Sequence, residues 1–64
     1  MKNNIKYLRA RKEMTQEELA NLTDCTRQTI NAIEKNKYSP SLVLAFKIAE
    51  ILDTEIAEVF IYKS

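Results

Sequence analysis

The 64-residue chain predicts an all-α domain of short helices. Three observations carry that prediction. There is no glycine and only one proline, a composition that favours helices over a turn-rich sheet protein. Two helix-start signals, Thr15 and Thr26, stand close together with small polar residues between them. From Leu42 to Leu52, apolar residues recur at intervals of three and four, the period of a helix with one buried face.

Met1 to Asn4 reads as a disordered or strand-like lead, with Asn3 or Asn4 capping the first helix. Ile5 and Leu8 share a face and should point inward. Lys2, Lys6, Arg9, Arg11 and Lys12 make this the most basic segment, an ordinary solvated face unless a polyanion lies nearby. Met14 is placed to staple against Leu19. Thr15 with Glu18 forms a T-x-x-E capping box, in which each side chain satisfies the other residue's free backbone N–H. A second helix should therefore begin at Gln16, run through Leu19, Ala20 and Leu22 along the core or its edge, and stop near Thr23 and Asp24. Cys25 reads as a buried structural thiol rather than a redox sensor. Thr26 caps a third helix from Arg27 to about Lys35, and Asn36 can end it in the left-handed conformation usually given to glycine.

Beyond a loop, Ser39 with Pro40 as first helical residue would start a fourth helix, although Ser41 could cap it instead. Leu42, Ala45, Ile48, Ala49 and Leu52 form its inward stripe. Val43, Phe46 and Lys47 lie off it, with Phe46 on a second apolar surface. Thr54 should cap a last short turn from Glu55 to Val59. The apolar tail, Phe60 to Ser64, reads as a strand with nothing nearby in the chain to pair with, an edge that invites a partner.

The faces of the third helix carry the functional argument. At about 100° per residue from Arg27, Asn31 falls near 40°, Lys35 near 80° and Gln28 near 100°, whereas Ile33 and Ile30 fall near 240° and 300°. The apolar side must be buried. The other side presents Arg with Gln and Asn, whose forked donors and acceptors match guanine and adenine edges in the major groove.

The stretch TQEELANLTDCTRQTINAIEKNKYSPSL resembles the Cro and phage-repressor (Xre) helix-turn-helix family, in particular its small single-domain dimeric members. The resemblance runs from about Ile5 to Phe60. It is most specific in Thr15 to Ala20, Arg27 to Ile30, Ile33 to Lys35 and Pro40 to Leu42. Asp24 and Asn36 stand where the family has glycines, and both tolerate a left-handed backbone. The resemblance implies a compact five-helix, lambda-repressor-like domain, with the C-terminal strand pairing across a dimer. It further implies that the Gln16 side chain touches the DNA backbone, and that Arg9 pairs with Glu34 as a structural salt bridge between the first and third helices.

A chain of this length is one domain, 1–64, with the helix-turn-helix at 16–35 and a dimerisation segment at 56–64; dimerisation would help, since so small a domain buries only about 60% of its unfolded surface. The formal net charge is only +1, but residues 1 to 38 hold eight Lys or Arg against five acids and residues 39 to 64 hold two against four. The basic part, at +3 against −2, is the one that carries the helix-turn-helix. No apolar run is long enough for a membrane span, no secretion signal is visible, and the lone Cys25 has no internal disulfide partner. These features suit the cytoplasm of a bacterium or phage-infected cell. With no His and no Gly, His-based acid–base chemistry, P-loops and dinucleotide-binding turns are excluded, and Glu17 and Glu18 are adjacent on a helix without facing each other. An enzyme is not expected, nor any cofactor or metal.

The expected function is a homodimeric repressor that reads a palindromic operator in double-stranded DNA. Arg27 and Gln28 would read bases, with Thr26, Thr29 and Asn31 as secondary contacts. Gln16, Lys35, Lys37 and Tyr38 would hold phosphates, and Ile56, Phe60, Ile61 and Tyr62 would form the dimer interface. No membrane partner and no small-molecule effector domain are expected. The alternative is an antitoxin or protein-interaction module on the same fold; antitoxins often carry an extra segment to wrap the toxin, and no such extension is visible.

Overall fold

Four of the five helices end in the same device, and none of them uses glycine. In the computed structural model, which describes residues 2–61, the helices are α1 (Ile5–Arg11), α2 (Gln16–Leu22), α3 (Arg27–Glu34), α4 (Leu42–Ile51) and α5 (Ile56–Val59). After each of the first four, one residue takes a left-handed backbone: Glu13 at φ 54°, Asp24 at 58°, Asn36 at 59° and Asp53 at 59°. Its N–H and the next residue's N–H turn back onto the last helical turn, as in the Asn36 bond to Ile33 O at 3.0 Å and the Lys37 bond to Ala32 O at 2.9 Å. Asp24 and Asn36 are therefore left-handed as the sequence suggests. Asp53 repeats the device where the helical pattern of the sequence breaks, and Glu13 repeats it where no turn signal stood out.

The starts follow their side chains. Thr15 accepts from Glu18 N at 3.0 Å while Glu18 accepts from Thr15 N at 2.8 Å, completing the capping box. Hydrogen bonding of the Glu18 carboxyl to Thr15, to its backbone N–H foremost and to its side chain second, holds that carboxyl below its ordinary pKa of 4.5. Thr26 caps α3 through Thr29 N, and Ser41 caps α4 through Leu44 N, both at 3.1 Å. Ser41, not Ser39 with Pro40, is thus the start of α4, since only its hydroxyl lies three residues ahead of that free N–H. The residue before the last helix is Glu55, not Thr54, whose hydroxyl instead donates to Glu58 at 3.1 Å.

The core gathers one face from every helix: Ile5 and Leu8, Leu19 and Ala20, Ile30 and Ile33, Ile48, Ala49 and Leu52, and Val59. Met14 and Cys25 pack half-buried at its edge. Two expectations are corrected. Leu42 is 70% exposed, because it sits in the first turn of α4 about 120° round from Ile48, at the rim of the buried arc. Leu22, at the far end of α2, is 56% exposed. Phe46 and Val43 are also exposed, at 54% and 66%, on the outer side of α4.

The tail does have a partner in the chain. Strand β1 (Lys2–Asn3) pairs antiparallel with β2 (Phe60–Ile61), with Lys2 opposite Ile61 and Asn3 opposite Phe60. The strand-like lead supplies this pairing, which a reading of local pattern could not match across nearly the whole chain. The Asn4 amide adds bonds to the same junction, from its N–H to Val59 O at 2.8 Å and from its side chain to Glu58 O at 2.9 Å. Tyr62, Lys63 and Ser64 lie outside the described residues.

Candidate nucleic-acid interface

Helices α2 and α3 pack across the turn at Thr23 to Cys25, where the Thr23 hydroxyl donates back to Leu19 O at 2.8 Å and meets the Cys25 sulfur at 3.3 Å. Burial of Ile30 and Ile33 fixes the roll of α3, so the opposite arc is presented outward. Arg27, Gln28 and Lys35 on that arc are exposed, and Asn31 is half-buried beside α2. Gln16, Arg27, Gln28 and Asn31 line one shallow cleft of about 210 Å³ between the start of α2 and the outer face of α3. The structure thus brings together the first-turn glutamine of α2 and the three amide or guanidinium side chains of α3.

The Arg9 guanidinium holds this pair of helices to α1. Arg9 Nε donates to Glu34 Oε2 at 2.7 Å, Nη2 to Oε1 at 3.2 Å and Nη1 to Met14 O at 2.9 Å. The pair is largely withdrawn from water, with side-chain exposures of 13% and 7%. Gln16 Nε2 reaches Glu34 Oε1 at 3.0 Å and Asn31 Oδ1 at 3.2 Å. Gln16 is therefore bonded within the protein, and its side chain is oriented before any ligand arrives.

Thr26 and Thr29 are tied to each other, Oγ1 to Oγ1 at 3.0 Å, at the first turn of α3. Lys35, Lys37 and Tyr38 are all exposed in the loop that follows, apart from the cleft. That loop is anchored by a residue whose role sequence reasoning missed. The Asn3 side-chain amide donates to Ile33 O at 3.1 Å, Glu34 O at 3.3 Å and Asn36 Oδ1 at 3.1 Å, while its oxygen accepts from Ile5 N at 3.2 Å. Asn3 was legible as a cap for α1; its grip on the end of α3, some thirty residues on, left no local signal.

Of the expected dimer residues, Ile56, Phe60 and Ile61 are half-buried and Tyr62 is outside the described residues. Ile56 and Phe60, with Pro40, Leu42, Ala45 and Ala57, line an open, mainly apolar groove of about 400 Å³ between α4 and α5.

The helix-turn-helix family model matches residues 5–59, from the first core residue of α1 to the last of α5. The chain belongs to the Xre-type helix-turn-helix family. Members of this helix-turn-helix family are DNA-binding transcriptional regulators. One relative, an uncharacterized HTH-type transcriptional regulator of Methanocaldococcus jannaschii, is 56% identical over 98% of this chain and 96% of its own. Another, an HTH-type transcriptional regulator of Bacillus subtilis, is 48% identical over 94% and 91%. Among solved structures, the restriction-modification controller protein C.AhdI from Aeromonas hydrophila matches with a TM-score of 0.82 and 35% identity, over 89% of this chain and 86% of that one. The relatives are archaeal as well as bacterial, a wider range than bacterium or phage.

Proposed function

We propose that this helix-turn-helix protein is a homodimeric, sequence-specific repressor that acts in the cytoplasm and reads a palindromic operator through the major groove. The observation that carries the reading is the outward arc of Arg27, Gln28 and Asn31 beside Gln16, in which Gln16 and Asn31 are held by hydrogen bonds over the withdrawn Arg9–Glu34 pair. Side chains already held, as Gln16 and Asn31 are, can meet DNA at little entropic cost, whereas a merely solvated face has no need of a relay beneath it.

In this reading Arg27 and Gln28 read bases, and Thr26, Thr29 and Asn31 contribute secondary contacts. Gln16, Lys35, Lys37 and Tyr38 hold phosphates on either side of the groove, Gln16 with the amide positions its internal bonds leave unspent. The protein itself performs no catalysis. Two copies join through the α4–α5 groove, with Ile56, Phe60 and Leu42 as anchors. The edge of β2 that β1 leaves open pairs with its twin across the two-fold axis. The two α3 helices then sit about 34 Å apart, one turn of duplex.

The test is selection of the tightest binders from random-sequence duplex at two salt concentrations. An enriched palindrome with half-sites about ten base pairs apart is expected. Weak binding without an enriched sequence, falling steeply with salt, would leave only phosphate contacts and remove the repressor reading.

A further inference from the structure

The side-chain bonds that join α1, α2 and α3 form one relay in which each group dictates the next. Arg9 has only donors to give, and it gives three of them to Met14 O and the two oxygens of Glu34. An ionised Glu34 can only accept. The Gln16 group 3.0 Å from Glu34 Oε1 must therefore be its NH2, and that same nitrogen meets Asn31 at 3.2 Å, so Asn31 must turn its amide oxygen towards it. The two ends of an Asn amide are nearly the same size, and an unconstrained one can present either to a ligand. Here an ion pair two bonds away sets which end faces inward.

We infer that Asn31 is a specificity-determining residue that reads keto bases. Its oxygen is engaged by Gln16, so its unspent capacity is chiefly the two hydrogens of Nδ2. An amino group aimed at the exocyclic positions of the major-groove edge is accepted by guanine O6 or thymine O4 and meets like donors on cytosine and adenine. Adenine N7 can still accept it, but adenine N6 then lacks the second bond that an intact amide would give. A free Asn would instead favour adenine, using both ends of the amide at once. Gln16 is then a positioning residue: besides any phosphate contact, it decides what Asn31 can say. Asn31 lies one helical turn beyond Arg27, so the base pair concerned neighbours the one Arg27 reads. The inference rests on the proposed reading of α3 as the groove-entering helix.

Site selection on the full chain with three proteins tests it. Asn31→Ala locates the base pair, as the one position in each half-site where a preference of about tenfold disappears. At that position the wild type is expected to favour guanine or thymine over cytosine and adenine by about tenfold. Gln16→Met keeps the length of the side chain and removes the amide, so Asn31 is released and adenine should rise to at least parity there, with preferences elsewhere unchanged. A merely structural Gln16 would weaken all sequences alike. Adenine or cytosine at the Asn31-dependent position in the wild type, the lack of any such position, or an unchanged preference in Gln16→Met each overturns the inference while leaving an enriched operator in place. If no sequence is enriched by the wild type, the groove-reading proposal fails and the inference with it. Should Gln16→Met not fold, the wild-type preference at the position that Asn31→Ala reveals decides alone.

Discussion

Glu34 carries a charge on a side chain only 7% exposed, and the partner that meets it, Arg9, is 13% exposed. A withdrawn ion pair of this kind contributes little against an apolar substitute, but losing one member strands the other at a cost of about 3–5 kcal/mol. For so small a domain that is a large share of the total. Arg9→Met alone is thus expected to unfold most of the protein near room temperature by circular dichroism, whereas Arg9→Met with Glu34→Leu should recover most of the loss. Equal damage from the single and double substitutions would show that the guanidinium's bond to Met14 O matters more than charge pairing. Glu18 makes the opposite kind of contribution, exposed and dependent on pH. Its pKa is lowered by the bonds to Thr15, so the stabilisation is present above the unfolded value near 4.5 and is lost as pH falls through the lowered folded value. Glu18→Gln should therefore melt below the wild type at pH 7, and the two curves should converge below pH 4.5 as the carboxylate takes up its proton. A gap that persists in acid would assign the difference to packing rather than to charge.

At the scale of elements, the helix ends are where a chain without glycine is most visibly constrained. Left-handed backbone costs a residue with a Cβ about 1 kcal/mol or more, and Asp and Asn bear it better than Glu. Glu13→Gly is therefore expected to raise stability by about 1 kcal/mol, and Asn36→Gly by less, measured by urea denaturation with an unchanged slope. A loss on Glu13→Gly would mean that the freedom gained by the unfolded chain outweighs the strain relieved. These ends also show what could be read from sequence. The starts at Thr15 and Thr26, the left-handed Asp24 and Asn36, and the burial of Ile30 and Ile33 follow from signals within a few residues, so the helix-turn-helix and the outward arc of α3 were legible. The Arg9–Glu34 pair came from family resemblance, since nothing local links two residues 25 positions apart. The pairing of β1 with β2 and the grip of Asn3 on the end of α3 were not legible, because their partners are close only once the chain has folded. Leu42 was misplaced inward because periodicity assigns a phase but not where the packed neighbours stop.

At the scale of the whole molecule, the apolar outer side of α4 bears on how two copies join. Leu42 and Phe46 are 70% and 54% exposed, and Leu42 belongs to the groove that also holds Ile56, Ala57 and Phe60. In a monomer, Leu42→Glu would place a charge in water and change stability by no more than about 0.5 kcal/mol. In the proposed dimer the same charge would be buried against the partner's groove without a counter-ion, at a cost sufficient to separate the copies. The wild type should sediment as a dimer, with an unfolding midpoint that rises with protein concentration, and Leu42→Glu as a folded monomer whose midpoint does not. Operator binding should fall by about 10²-fold or more, since two half-sites then no longer share one binding event. A wild type that sediments as a monomer, or a Leu42→Glu protein that remains a dimer, would remove the α4–α5 groove from the interface. The open edge of β2 would then have to join the copies by itself, and two residues of strand, Phe60 and Ile61, present too little surface for that.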